Sequence, residues 1–258
     1  MIIDVAPHRS LPSPKKRRAP FFLRAFVLAA VTLVSTLAAC GGQGLDGGTR
    51  RTFFVRSALA PPVHSSQGGC VYTDDPSAAS LLEGRVDLGV ADEYRLTLLA
   101  QNSDATGSTT ITGAHVVLKT ADQTVIREFA LVTTGFIGPG ASAVTSVTVL
   151  DAAAREIVIG NLPIRTVTQT LVADVTLTGR DPSGGPDSTA PVFSFPFQIC
   201  NGCLVDFSNG NDPTDRIQPN CFRPIDPAVI LPCQVGQDEV VPCQSCVATR
   251  PACNPAML

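Results

Sequence analysis

Residues 166–177, TVTQTLVADVTL, alternate between two kinds of side chain. The mostly apolar row consists of Val167, Gln169, Leu171, Ala173, Val175 and Leu177, and threonine dominates the row between them. Successive side chains of a β-strand point to opposite faces of its sheet. A period of two therefore predicts a strand that is buried on one side. Because Thr and Val are favoured on half-buried pleated surfaces, the stretch indicates a β-sheet protein.

A second alternating stretch follows after the turn-rich segment GRDPSGGPDST, residues 179–189. Its alternate positions Phe193, Phe195, Phe197 and Ile199 are apolar. We expect residues 166–177 and 193–199 to pair as a hairpin with a long loop. Pro196 has no backbone N–H to donate, so we expect it to face a sheet edge or a bulge.

Further strands are predicted at residues 85–90, 94–100, 114–119, 124–131 and 142–150. Asp151 is a candidate N-cap for a short helix, AAAREIVI, which follows it directly. About seven short strands with turns between them are typical of an immunoglobulin-like sandwich. The sequence therefore predicts a mainly β, antiparallel sandwich over residues 51–199, with a closed barrel as the alternative.

The first 39 residues differ from the rest of the chain. A basic cluster, Lys15 to Arg18, precedes the uncharged run AFVLAAVTLVSTLAA, residues 25–39. Fifteen residues span about 22 Å as a helix, which is short of the roughly 30 Å hydrocarbon core of a bilayer. Basic residues followed by a short apolar run are typical of a secretory signal. An uncleaved membrane anchor is the alternative.

The run ends in Leu37-Ala38-Ala39-Cys40, which resembles the lipobox of bacterial lipoproteins. The resemblance covers residues 1–40 and implies that residues 1–39 are a signal peptide removed before Cys40. It also implies that Cys40 is acylated and binds the lipid bilayer. Several acyl chains on one cysteine would hold the protein far more firmly than one chain.

The resemblance also suggests a location. Gly41 follows the cysteine, whereas an aspartate at that position retains well-studied lipoproteins at the inner membrane. The expected location is therefore the outer membrane or the cell surface. A twin-arginine signal, based on Arg17 and Arg18, is an alternative that Pro20 disfavours, because that motif prefers a large apolar residue there.

The mature chain is acidic. From Cys40 onward it has 13 basic and 21 acidic residues, a formal net charge of −8. Nucleic-acid binding needs patches of Lys and Arg, so we expect no nucleic-acid partner. Residues 40–50 combine the lipidated Cys40 with a predicted flexible tether between the lipid and the fold. The ten tether residues, 41–50, contain five glycines and have a mean reach of about 16–19 Å.

The tail, residues 200–258, is rich in cysteine and proline and has no strong periodicity. Such a segment cannot build a large core and depends on covalent cross-links. With Cys40 assigned to lipid by the resemblance, eight cysteines remain as disulfide candidates: Cys70, Cys200, Cys203, Cys221, Cys233, Cys243, Cys246 and Cys253. Only Cys70 lies outside the tail, so we expect it to link the tail to the sandwich.

The motif Cys200-Asn201-Gly202-Cys203 allows other chemistry. With Cys243 and Cys246 it could form a four-thiolate zinc site, although the 39-residue gap exceeds the usual length of about 15–20. A redox role would place Cys200 at a helix N-terminus, but the motif follows a predicted strand. We therefore interpret it as a structural joint between the sandwich and the tail, and we expect no metal and no cofactor.

A loop of oxygen-bearing side chains, Asp206, Asn209, Asn211, Asp212 and Asp215, could hold Ca²⁺. Its spacing does not match the calcium-loop pattern, and Asx residues more often cap their own turns. The three histidines, His8, His64 and His115, lie in the leader, a predicted loop and a predicted strand. No hydrolase, metalloprotease or phosphate-loop motif is present.

Three classes of function stay open at this point. The first is a non-catalytic envelope lipoprotein with a structural or interaction role. The second is a surface module that binds sugar or peptide, which the absence of Trp and the presence of only Tyr72 and Tyr94 disfavour. The third is an enzyme whose residues are dispersed along the chain. We expect the first and therefore no enzymatic activity.

Overall fold

The structure is a computed structural model that describes residues 53–64, 70–71, 80–160, 162, 168–185, 187–207, 221–222, 224–225 and 229–255. The predicted signal peptide, Cys40 and the tether lie outside the described residues. Within the described ranges, no helix has the length and apolar character needed to cross a membrane.

The described chain is built mainly from β-strands. In chain order they are β1 (Phe53–Leu59), β2 (Val63–His64), β3 (Cys70–Val71), β4 (Ser80–Leu81), β5 (Gly84–Asp87), β6 (Tyr94–Asn102), β7 (Thr109–Thr120), β8 (Val125–Leu131), β9 (Gly135–Ile137), β10 (Ser142–Leu150), β11 (Gln169–Arg180), β12 (Asp187–Thr189), β13 (Phe193–Cys200), β14 (Val205–Asp206) and β15 (Val241–Pro242). Helix α1 (Ala152–Ile159) and two 3₁₀ turns, Cys243–Ser245 and Pro251–Cys253, complete the set.

Two main sheets enclose one core. The first sheet has the order β10-β6-β1-β4, and the second has the order β5-β13-β11-β7-β8, with β12 beside β11 and β9 beside β7. Buried side chains of both sheets form a single hydrophobic cluster. The predicted antiparallel sandwich with a Cys/Pro-rich extension is confirmed. Within the two main sheets one pair differs from the antiparallel pattern, because β5 runs parallel to β13. The short tail pair of β14 and β15 is also parallel.

In the central strand β11, buried and half-buried side chains alternate, as the sequence pattern predicted. Leu171, Ala173, Val175 and Leu177 are fully buried, whereas the residues between them are half-buried. Burying a large aliphatic side chain contributes about 1.5–3 kcal/mol, so this row is a large part of the core. The predicted hairpin is also confirmed, because β11 pairs with β13 from Gln169↔Ile199 to Val175↔Phe193. The ladder with β5 begins at Phe197, one residue after Pro196.

Several elements differ from the prediction. The loop expected at 179–189 is shorter, because β12 folds back on β11 and pairs Arg180 with Asp187. Strand β5 ends at Asp87, where the chain turns, and not at residue 90. Strand β1 was not predicted individually, because a register shift between Val55 and Ser57 interrupts its alternation.

The sandwich has two distinct ends. At one end, the Phe53 ring packs so closely on Gly179 that a Cβ built there would lie 3.1 Å from the ring. At the other end, the rings of Tyr94 and Phe197 are 5.0 Å apart. We call these the Phe53 end and the tail end. The tail packs at the tail end, where it contacts the β5 strand and the turn that follows it.

Helix α1 forms as predicted, with Asp151 as its N-cap. The Asp151 carboxylate accepts a hydrogen bond of 2.8 Å from the Ala154 N–H and also lies 3.0 Å from a guanidinium nitrogen of Arg127. The cap satisfies one of the N–H groups that a helix start leaves without a partner.

Replacing Asp151 by alanine should lower the free energy of unfolding by about 1 kcal/mol, because the Ala154 N–H loses its acceptor. Asp151→Ser is the matched control. It keeps a capping oxygen and removes only the ion pair with Arg127, so it should stay closer to the unaltered protein. Urea denaturation measures both changes, and equal losses in the two variants would contradict the capping role.

Candidate functional site

All eight cysteines that follow Cys40 are paired in the structure. The disulfides are Cys70–Cys233, Cys200–Cys203, Cys221–Cys243 and Cys246–Cys253. The prediction of a disulfide-bonded tail is confirmed, and Cys70 is the residue that links it to the sandwich. The four sulfurs considered for zinc belong to three different disulfides and do not form one tetrahedral set.

The Asp87 carboxylate holds the turn formed by the Cys-x-x-Cys motif. Asp87 is fully buried, and its oxygens accept hydrogen bonds from the N–H groups of Gly202 (2.6 Å), Leu204 (2.9 Å) and Gly89 (3.0 Å). Cys200 ends strand β13, so it does not have the helix N-terminus that a redox cysteine uses. The arrangement is that of a joint: a buried carboxylate organises the backbone where the sandwich passes into the tail.

A tail segment covers the free edge of β5. The Asp87 N–H donates to the Gly236 carbonyl (2.8 Å), the Asp238 N–H donates to the Arg85 carbonyl (2.7 Å), and Val86 and Gln237 form an antiparallel bridge. Unpaired edges of sheets need such protection. The Gln237 side chain also accepts the Arg95 N–H at 2.9 Å, which connects this segment to β6 in the other sheet.

Asp238 is unusual in two respects. Its φ of 60° lies in the left-handed region, which non-glycine residues adopt infrequently. Its half-buried carboxylate accepts hydrogen bonds from the Arg85 N–H (2.6 Å) and from the hydroxyl of the fully buried Tyr94 (3.1 Å). Gly84 is required beside this pair, because a Cβ at position 84 would lie 1.9 Å from the Tyr94 hydroxyl oxygen.

Burial raises the pKa of the Asp238 carboxyl, and the nearby Glu239 charge adds to the rise. The hydrogen bonds from the Arg85 backbone and the Tyr94 hydroxyl, together with the Arg85 charge, oppose it. Burial also raises the pKa of the Tyr94 hydroxyl, so the tyrosine is the donor of this hydrogen bond. A strained, partly desolvated carboxyl beside a cavity is a common feature of functional sites.

Asp238 borders a cavity of about 290 Å³ between β5, β13 and the tail. The side chains of Arg85 and Gln198 lie opposite each other in the parallel register of β5 and β13. Arg85 donates to the Gln198 carbonyl at 3.0 Å, and the Gln198 amide donates to the Glu83 carboxylate at 3.0 Å. Aliphatic side chains of Leu81, Leu204 and Val240 complete the lining. We call this cavity the β5 pocket.

A second cavity of about 300 Å³ adjoins the β5 pocket and shares Val240 with it. It lies between tail residues 230–232 and strand β2, which pairs with β3 as a separate two-stranded ribbon. The His64 side chain is 2.5 Å from the Leu231 carbonyl oxygen there. Large aliphatic side chains are exposed around it: Val63 (58%), Ile230 (74%) and Val240 (57%). The tail end therefore combines a polar pocket with an apolar surface.

The remaining predicted residues lie elsewhere. His115, on β7, is exposed and 2.9 Å from the Glu128 carboxylate. Asp206 lies in β14, but Asn209, Asn211, Asp212 and Asp215 of the candidate calcium loop, like Tyr72, lie outside the described residues. Sequence reasoning missed Asp87 and Asp238. A charged residue within the otherwise apolar run VDLGV was the available signal for Asp87, whereas nothing in the sequence around Asp238 indicated its pocket.

The chain matches no protein-family model and no curated protein sequence. Among solved structures it is similar to a protein from Archaeoglobus fulgidus, with 11% identity and a TM-score of 0.30 over 42% of this chain and 84% of that chain. It is also similar to a candidate late embryogenesis abundant protein, with 16% identity and a TM-score of 0.32 over 46% of this chain and 71% of that chain. A candidate ApaA protein from Bordetella pertussis gives 12% identity and a TM-score of 0.28 over 44% of this chain and 85% of that chain. At these scores the neighbours carry no argument about function.

Replacing Asp87 by asparagine should lower the free energy of unfolding by about 1–3 kcal/mol. The new NH₂ group would face backbone N–H donors, which would lose their acceptor inside the protein. Asp92→Asn is the matched control, because Asp92 is an exposed carboxylate at the same end that pairs with Arg250, and such pairs contribute at most about 1 kcal/mol. Urea denaturation distinguishes the two, and an Asp87→Asn loss no larger than that of the control would contradict the joint.

The raised pKa of Asp238 predicts a pH dependence with a definite sign. The folded protein holds this proton more tightly than the unfolded chain, so the contribution is full at low pH and is lost as pH rises through the folded-state pKa. Asp238→Asn removes the titrating carboxyl, so the variant does not lose this contribution to stability as pH rises. Asparagine also tolerates the left-handed conformation. Its stability relative to the unaltered protein should therefore increase from pH 4 to pH 7 in urea denaturation.

Asp187→Asn is the control, because the stability contribution of the Asp187 carboxyl should change with pH in the opposite direction. Arg180 lowers the pKa of the exposed Asp187 carboxyl, so its small contribution is present at neutral pH and is lost on acidification. Parallel pH profiles for Asp238→Asn and the unaltered protein would contradict the assignment of a raised pKa to Asp238.

Proposed function

We propose that this chain is a lipoprotein of the bacterial envelope, held to the outer membrane or the cell surface by acylated Cys40. Its ectodomain has a non-catalytic structural or interaction role, and it presents its tail end away from the membrane. The leader and the lipobox-like Leu37–Cys40 segment are the basis for the anchor.

The observation that carries the proposal is the separation of the two ends of the sandwich. Phe53, the first described residue, packs at one end with Gly179. The tail segment that contains Gly236, Gln237 and Asp238 packs at the other end. A short tether before Phe53 would keep the Phe53 end near the lipid, so the tail end would point outward.

The disulfides are consistent with export. Four disulfides persist in oxidising compartments such as the periplasm or the cell surface, and they are rare in the reducing cytosol. The Cys70–Cys233 link also joins two segments that are 163 residues apart, which restrains the unfolded chain strongly. Such cross-linking suits a protein that must keep its tail in place outside the cell.

The exposed aliphatic side chains at the tail end favour interaction over a purely structural role. Val63, Ile230 and Val240 surround one cavity and are more than half exposed. Clustered apolar exposure of this kind marks binding surfaces more often than scattered single residues do. We expect a protein or glycan partner to bind there.

The two alternative functions have less support. A sugar-binding module usually stacks aromatic rings on its ligand, and none of the residues that line the β5 pocket or the cavity beside it is Phe, Tyr or Trp. An enzyme would use the Asp238 and Glu83 carboxyls as an acid and a base. The Asp238 carboxylate, however, accepts the Arg85 N–H and the Tyr94 hydroxyl, which is a structural use of its oxygens.

The lipid anchor is tested by Cys40→Ser in the full chain, expressed in a Gram-negative bacterium with an alkyne-bearing fatty acid in the medium. The unaltered protein should take up the label, whereas Cys40→Ser should not, because its serine forms no thioether with a diacylglyceryl group. The intact mass before and after reduction and alkylation serves as the folding control, because both forms should show four disulfides.

An unlabelled protein that stays in the membrane fraction with either residue at position 40 would contradict the lipid anchor. It would favour the uncleaved helix that the leader also allows.

A further inference from the structure

The β5 pocket contains a row of polar side chains in a fixed order. Gln198 stands between the Arg85 guanidinium and the Glu83 carboxylate, and it bonds to each through one end of its amide. Glu83 lies in the bend directly before β5 and Arg85 lies on β5, and both side chains reach the amide of Gln198. The amide thereby presents a cation and an anion side by side within one pocket.

The rest of the pocket adds two kinds of surface. The Asp238 carboxyl lies on the tail side of the pocket and adds a second acidic group to that of Glu83. The side chains of Leu81, Leu204 and Val240 provide an aliphatic wall. The volume of about 290 Å³ is at the lower limit of small-molecule sites, which suits a ligand of about ten heavy atoms.

The chemistry of this lining selects a class of ligand. A planar guanidinium binds a carboxylate through two parallel hydrogen bonds, and a carboxylate binds an ammonium group. A neutral sugar would bring no opposite charge to either group and would find no aromatic ring among the residues that line the pocket. A ligand with only positive charges would meet the Arg85 cation, and a ligand with only negative charges would meet Glu83 and Asp238.

We propose that the β5 pocket binds a small aliphatic zwitterion, an α-amino acid of about the size of leucine. Its carboxylate binds Arg85, its ammonium group binds Glu83 and Asp238, and its side chain packs on Leu81, Leu204 and Val240. The inference goes beyond the proposed envelope role and does not depend on acylation of Cys40, so failure of one leaves the other intact.

The test is a calorimetric titration of the mature full-length chain, in detergent and with its disulfides intact. L-Leucine should bind with one site per chain. Isoamylamine, which lacks the carboxylate, and isocaproate, which lacks the ammonium group, should each bind at least about tenfold more weakly, because each loses one charge-assisted hydrogen-bonding group. Methyl α-D-glucoside should give no heat of binding.

Variants assign the binding to the pocket. Glu83→Gln and Arg85→Gln each remove one charge from an exposed side chain and keep hydrogen-bonding capacity, and each should weaken L-leucine binding at least about tenfold. Glu128→Gln on β8 and Arg180→Gln at the Phe53 end are matched controls that should leave binding unchanged. Thermal unfolding of every variant checks that the fold is intact.

Several outcomes would overturn the proposal. These are no binding of L-leucine, binding of the glucoside or of either analogue as tightly as L-leucine, and equal losses in the control variants. If a pocket variant failed to fold, the comparison of L-leucine with its two analogues on the unaltered chain would still decide the question.

Discussion

The buried Asp87 carboxylate is the interaction on which the arrangement of the sandwich and tail depends. It binds three backbone N–H groups at the point where β13 ends, and two of them belong to the turn between Cys200 and Leu204. The Cys200–Cys203 disulfide cannot replace it, because closing a separation of three residues removes little entropy from the unfolded chain. Buried N–H groups of the turn would otherwise lack acceptors, at a cost of about 1–3 kcal/mol each.

Asp87 also explains why the tail can remain poor in core residues. In the part of the tail that the structure describes, Val241, Cys246 and Cys253 form a small cluster that packs against Val90 from the turn after β5. The turn that Asp87 organises therefore provides the apolar surface that the tail lacks. Hydrogen bonds along the β5 edge and the Cys70–Cys233 disulfide then fix the tail in position.

The sequence predicted the features that depend on residues close together in the chain or on a strand with one buried face. The threonine and aliphatic rows of β11 reproduce its burial, and the Asp151 cap depends on residues three apart. Strand β1 escaped prediction because its bulge breaks the period. The β5 pocket could not be predicted, because it joins residues 83–85, 198 and 238 through a parallel strand pair and a tail segment that are distant in sequence.

The fold explains why position 238 is an aspartate, but it does not explain the row formed by Glu83, Gln198 and Arg85. Asp238 has structural reasons for its identity, since Asp tolerates a φ of 60° better than most residues and its carboxylate satisfies the Arg85 N–H and the Tyr94 hydroxyl. The Glu83–Gln198–Arg85 row has no such reason, because hydrogen bonds between exposed side chains contribute little to stability. The fold does not need an ordered cation and anion held apart by an amide, whereas a zwitterionic ligand does.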